Sequence, residues 1–197
     1  MSRNEMKGLA NELKTQLLTL GGLVALMWAI EIIDQLPGIN LDLYGIIPRR
    51  IIGLRGIAFA PFLHGNFPHL IANTVPFLTL GWLVMLRRTS DFWIVTAIAA
   101  LIGGLGTWLI APSFSIHIGA SGIIFGYLGF LLFRGYFERN FASMALSVTV
   151  GVLYGGLLWG VLPQQPGISW QGHLFGFIGG VVAARILAAP RKPPKAY

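Results

Sequence analysis

The sequence predicts an all-α polytopic membrane protein with six transmembrane helices and both termini in the cytoplasm. Three observations carry this. Of its 197 residues, 55% are hydrophobic and only 11% charged, with a mean hydropathy of +0.71. A soluble domain averages about 25% charged residues, so this chain lacks the polar surface needed to coat a water-facing globule. The apolar residues gather into runs of the roughly 20 residues that a bilayer span requires. The basic residues, finally, crowd into alternate connections between those runs.

Taken in order, the runs are Leu17 to Ile33, Leu70 to Leu86, Phe92 to Ala111, Ser121 to Phe137, Phe141 to Leu162 and His173 to Ala189. Residues before the first run are mixed in charge and amphipathic, and no A-x-A-like site closes it, so it reads as a retained span and not a cleaved signal peptide. This divides the chain into an amphipathic cytoplasmic N-terminus (1–16), a six-span domain (17–189) and a basic cytoplasmic tail (190–197), the tail being most simply a solvated end. Arg3, Lys7 and Lys14 precede span one, Arg87 and Arg88 follow span two, Arg134 and Arg139 follow span four, and Arg185, Arg191, Lys192 and Lys195 close the chain. Only Arg49, Arg50 and Arg55 fall on the other side. Basic loops stay cytoplasmic, which sets the orientation.

The net charge of +7 does not point to nucleic acid, because the basic residues form short separate clusters and no basic domain. With no cysteine in the chain there is no disulfide, no thiolate nucleophile and no Cys-ligated metal.

In this orientation spans two, four and six begin at the outer face. Span two opens with His69 and Asn73, span four with Ser121, span six with His173. Polar groups inside spans are costly, tend to face the bundle interior and mark functional sites. Gly122, Gly126 and Gly129 on span four and Gly172, Gly176 and Gly180 on span six recur at helical spacing. Small residues at that spacing let helices approach closely in lipid, setting serine against histidine, although each stripe alone also reads as plain helix packing.

A serine hydroxyl becomes a useful nucleophile when a base takes its proton, and histidine is the usual base. No carboxylate lies on spans two, four or six at the outer side, so a Ser121/His173 dyad is expected, with Asp34 or Asp42 as the only outer-loop alternatives for orienting the imidazole. Phe125, one turn below Ser121, either stacks on His173 or is an ordinary core or lipid-facing phenylalanine. The free N–H groups at the start of span four, around Gly119, Ala120, Ser121 and Gly122, suit an oxyanion, and Gly119 and Gly122 leave room for a substrate backbone. His69 and Asn73, four residues apart, share a helix face and either donate to the same oxyanion or clamp two helices together.

His64, His69, His117 and His173 offer imidazoles but no H-E-x-x-H pattern and no cysteine, so no metal and no cofactor are expected. His64 and His117 read as solvated loop histidines or as structural hydrogen-bonding groups. Residues 163–171 are polar, uncharged and turn-rich, like a cap over the site, while the first loop, about Asp34 to Phe67, carries apolar pieces of functional or structural use.

These residues resemble the rhomboid family of intramembrane serine proteases. The likeness rests on Gly119-Ala120-Ser121-Gly122, on His69-x-x-x-Asn73, on His173-x-x-Gly176-x-x-x-Gly180 and on the stretch from Ala60 to His69, and it covers roughly residues 55 to 185. It implies a rhomboid-like bundle with Ser121 as nucleophile, His173 as general base, and His69 and Asn73 as oxyanion stabilisers. The expected partners are the lipid bilayer and single-span transmembrane protein substrates, cut at or near the outer boundary of the cell (inner) membrane by a site on the extracytoplasmic side. Phe125 stands where many members have tyrosine, and a Trp-Arg pair frequent in the first loop is absent, with Arg55 and Gly56 at about that place. Two rival readings are a non-catalytic relative that binds transmembrane helices and a small-solute transporter; the second would place its polar groups near mid-bilayer. The oligomeric state is not legible in the sequence.

Overall fold

The computed structural model describes residues 3–163 and 167–188. The tail at 190–197 and part of the expected cap at 163–171 lie outside them. Among the described residues the fold is all-helical, and its one strand-like feature is an isolated antiparallel bridge between Ile46 and His117. Helix α1 (Arg3–Asp34) leads into a first loop of short helical pieces between Leu41 and Phe62, including the single turn α2 (Gly56–Phe59). Then come α3 (Phe67–Met85), α4 (Thr89–Ile110), α5 (Ser121–Glu138), α6 (Phe141–Tyr154) prolonged by a 3₁₀ stretch (Gly155–Val161), and α7 (Trp170–Leu187).

Among the described residues four stretches are long and apolar enough to cross a membrane: Arg3–Asp34, Phe67–Met85, Thr89–Ile110 and Phe141–Val161. They coincide with the first, second, third and fifth apolar runs. The amphipathic N-terminus and the first run, separate in the sequence reading, form one helix of 32 residues, since no proline interrupts residues 3–34 and the helix runs through Gly21-Gly22 unbroken.

The remaining two runs form α5 and α7, each 18 residues long and rich in glycine and polar groups. For α5, position accounts for that composition. Eleven of the 18 residues of α5 are buried, against two of the 14 of α6, and α5 packs against α3, α4, α6 and α7. A helix enclosed by its neighbours needs no greasy outer face, whereas α6 leaves Val148, Val152 and Leu153 exposed.

Glycine governs the α5–α7 contact, the most extensive in the molecule. A Cβ on Gly176 would lie 2.0 Å from the Gly122 carbonyl oxygen, and one on Gly180 only 1.8 Å from that of Gly126. The two backbones therefore touch. Below this contact Tyr127 is fully buried among Phe77 and Phe92, with ring centroids 5.8 and 5.5 Å away, and its hydroxyl meets Thr96 Oγ1 at 2.7 Å. At the end of α5 remote from Ser121, Glu138 receives Arg87 at 2.7 Å and Arg134 at 3.1 Å, and Arg87 also donates to the Leu187 carbonyl at 3.0 Å. One buried charge cluster thus ties together the far ends of α3, α5 and α7.

Gly180→Ala is expected to lower stability by about 1–3 kcal/mol, because backbone has to move aside. Gly22→Ala, with nothing within 4 Å of the added carbon, is the matched control and should leave thermal unfolding of the detergent-purified protein unchanged or slightly later.

Candidate active site

Ser121 is the first residue of α5 and is delivered there by a loop anchored on the first loop of the chain. The His117 N–H and C=O bond the Ile46 C=O and N–H, both at 2.9 Å, and the Gly119 N–H donates to the Ala60 carbonyl at 2.8 Å. Gly119 has φ of +109°, a conformation that a side chain would strain, and this turn sends the chain from the loop into the helix. The N–H groups of Ser121 and Gly122 head α5, where a helix supplies no partner of its own.

His173 sits one turn inside α7, behind an N-cap in which Ser169 Oγ accepts from the Gly172 N–H at 3.3 Å. Its Nε2 lies 2.8 Å from Ser121 Oγ, and its Nδ1 lies 2.8 Å from the Gly160 carbonyl oxygen. A carbonyl can only accept, so Nδ1 carries the proton and Nε2 presents its lone pair to the serine hydroxyl. The ring of Phe125 lies flat on the imidazole, 4.1 Å between centroids and 7° between planes. Hydrogen bond and stack together leave the imidazole one orientation.

Asp34 and Asp42 take no part in holding this ring. Asp34 accepts the Leu41 N–H within the first loop. Asp42 lies beside Gly65, and burial, followed by the charges of Asp34 and Glu31, pushes its carboxyl up to about 6. The orienting acceptor is a main-chain oxygen.

His69 and Asn73 line the same cavity as Ser121 and His173, about 970 Å³ in volume, with Phe125, Trp159 and Gln171 among its walls. A Cβ on Gly119 would lie 2.8 Å from the His69 ring and 3.7 Å from Asn73 Nδ2, so both side chains stand beside the chain entering α5. Asn73 Nδ2 is buried and has no hydrogen-bond partner among the described residues. Such a donor costs about 1–3 kcal/mol until an acceptor arrives. His64, also buried, packs edge-on against His69 with centroids 5.0 Å apart and offers Nε2 to the Ala120 N–H at a long 3.5 Å. Burial, and secondarily the neighbouring His69, pushes the His64 imidazole down to about 4, so it stays a neutral acceptor near pH 7.

Gly122 also borders α7: a Cβ there would meet the Gly172 carbonyl oxygen at 3.4 Å, and its own carbonyl oxygen lies under Gly176. Ala120 is fully buried, with its N–H directed at His64 Nε2. A second cavity of about 50 Å³, bordered by Gly119, Ser121, Gly122, Thr107 and Ser169, lies behind the serine. Among the described residues no group of three His, Asp or Glu side chains is disposed to hold a metal.

Sequence reasoning passed over Gly160 and Ser169. An acceptor that is main chain leaves no residue type to read. The sequence does carry a signal for Ser169, a serine directly before an apolar helical run, which is the pattern of an N-cap. A Cβ on Gly160 would lie 2.8 Å from the Phe125 ring and 3.2 Å from His173 Nδ1. In ¹⁵N spectra of histidine-labelled protein, wild-type His173 should therefore be a single Nδ1–H tautomer, and Gly160→Ala should yield a mixture of tautomers.

The Rhomboid domain family profile matches residues 53–190. An uncharacterized protein of Mycobacterium tuberculosis is 49% identical over 181 residues, which covers 88% of this chain and 75% of that protein. The putative rhomboid protease YdcA of Bacillus subtilis is 34% identical over 121 residues, 60% of this chain and 59% of its own. Rhomboid protease GluP of Bacillus subtilis is 30% identical over 131 residues, 66% of this chain and 25% of its own. A match across most of the chain, together with helices long and apolar enough to span a bilayer, makes this an integral multi-pass membrane protein that belongs to the rhomboid family.

Proposed function

We propose that the chain is an intramembrane serine endopeptidase that cuts transmembrane protein substrates through a Ser121/His173 dyad. The observation that carries the reading is the 2.8 Å approach of Ser121 Oγ to a His173 Nε2 whose opposite nitrogen is held by a carbonyl, inside a cavity roomy enough for an extended peptide. In the reaction Ser121 Oγ bonds the scissile carbonyl carbon while its proton passes to Nε2. The imidazolium that forms is stabilised by the Gly160 carbonyl in place of a carboxylate, and Phe125 keeps its plane. The oxyanion draws on Asn73 Nδ2, on the His69 side chain and on the N–H groups at the head of α5. Collapse breaks the C–N bond, and the Nε2 proton leaves with the amine. Water then loses a proton to Nε2 and attacks the acyl-enzyme, and the serine recovers its proton.

Six spans, cytoplasmic termini and an extracytoplasmic site in the inner membrane belong to the same proposal. It is supported by the apolar runs, by the basic residues gathered away from the Ser121 end, and by the backbone contact of α5 and α7. Single-span proteins are the substrates that fit, since a cleavage site at the bilayer edge meets a cavity formed where α3, α5 and α7 begin.

The test is fluorophosphonate labelling of the detergent-purified protein, with cleavage of a transmembrane substrate in parallel. Ser121→Ala and His173→Ala should abolish both, and Asn73→Ala should slow cleavage by about 10²–10³, the usual loss for one oxyanion donor. Folded wild type that neither labels nor cuts would contradict the proposal and favour a non-catalytic binder of transmembrane helices.

A further inference from the structure

His117 lies four residues before Ser121 and has no part in the chemistry above, yet both of its faces are engaged. Its main chain is clamped to Ile46 through two hydrogen bonds of 2.9 Å. Its ring spans two hydroxyls: Nε2 is 2.7 Å from Ser115 Oγ, and Nδ1 is 2.7 Å from Ser169 Oγ. Ser169 is the N-cap of α7, and its carbonyl accepts the His173 N–H at 3.1 Å. One residue therefore joins the loop entering Ser121 to the turn that carries His173.

The protons along this bridge can be assigned. Ser115 Oγ donates to the Pro112 carbonyl at 2.6 Å, so towards His117 it can only accept, and Nε2 carries the hydrogen. Nδ1 of the neutral ring then accepts from the Ser169 hydroxyl, whose oxygen in turn receives the Gly172 N–H. Every donor and acceptor along the bridge has one partner in one direction. Burial lowers the His117 imidazole below its ordinary range, which keeps the ring in the neutral form that this pattern requires.

We infer that His117 is a positioning residue: bridging Ser115 and the α7 N-cap Ser169, it sets the separation of Ser121 and His173. The inference rests on reading Ser121 and His173 as the reacting pair. Side chains that could bond only one serine, or neither, let the entry loop and the N-terminus of α7 shift relative to each other. The reacting distance loosens, while the main-chain anchors of the entry loop, His117 to Ile46 and Gly119 to Ala60, and the cavity walls from His69, Asn73 and Trp159 stay in place.

The test compares wild type, His117→Phe, His117→Gln and Ser115→Ala by fluorophosphonate kinetics, separating the inactivation rate constant from the concentration giving half its maximum, alongside thermal unfolding. His117→Phe keeps a flat ring but no polar atom, and should cut the rate constant about tenfold or more with the half-maximal concentration within about twofold, as expected for misplaced reacting groups. His117→Gln, which keeps one acceptor and one donor, should recover most of the loss, and Ser115→Ala should fall between. If wild type labels and His117→Phe reacts as fast, the inference fails and the dyad stands. If Phe and Gln variants lose rate and unfolding temperature in equal measure, His117 is structural only and the inference also fails. Wild type that does not label overturns the dyad and this inference together.

Discussion

The structure depends on a contact between two backbones. In a bilayer, lipid tails are as apolar as leucine, so helices gain little by hiding apolar side chains and associate through close packing instead. α5 and α7 meet that condition by dispensing with side chains where they cross: Gly176 faces the Gly122 carbonyl and Gly180 that of Gly126, with no space for a methyl group at either point. The contact sets more than stability. Because Ser121 and His173 each lie near the N-terminal start of these helices, the approach that seals the backbones also brings hydroxyl and imidazole to 2.8 Å.

Around this contact the molecule sorts its polar groups by end. Arg87 and Arg134 are balanced by Glu138 and Asp91 where α5 finishes, while uncharged donors and acceptors line the cavity where α3, α5 and α7 begin. The His173 imidazole is oriented without a carboxylate. A main-chain oxygen freed by the 3₁₀ stretch after α6 fixes the tautomer of His173, and an aromatic ring fixes its plane. A dipole in place of a full charge suits a bilayer, where an uncompensated carboxylate is costly to bury.

Much of this was legible in the sequence, for reasons that differ residue by residue. Ser121, His173, His69 and Asn73 could be found because polar side chains inside apolar runs are conspicuous, and the glycine stripes because their period matches the helix. Phe125 was readable only as one of two options, since one helical turn of separation from Ser121 says nothing about the rotation of α5 relative to α7. The role of Gly160 was not legible, as a carbonyl has no residue type. α5 lacks the composition of a lipid-facing helix because it is enclosed, a tertiary property that no window of residues contains. His117 carried an ambiguous signal for the same reason: its partners lie 2 and 52 positions away.

The most direct measurement is a crystal structure of the protein after reaction with a fluorophosphonate. The account predicts phosphorus bonded to Ser121 Oγ, a phosphoryl oxygen within hydrogen-bond reach of Asn73 Nδ2 and the head of α5, and His173 Nδ1 still held by the Gly160 carbonyl under the ring of Phe125. An adduct on another residue, or a modified Ser121 whose phosphoryl oxygen points away from Asn73 with His173 released from Gly160, would contradict it.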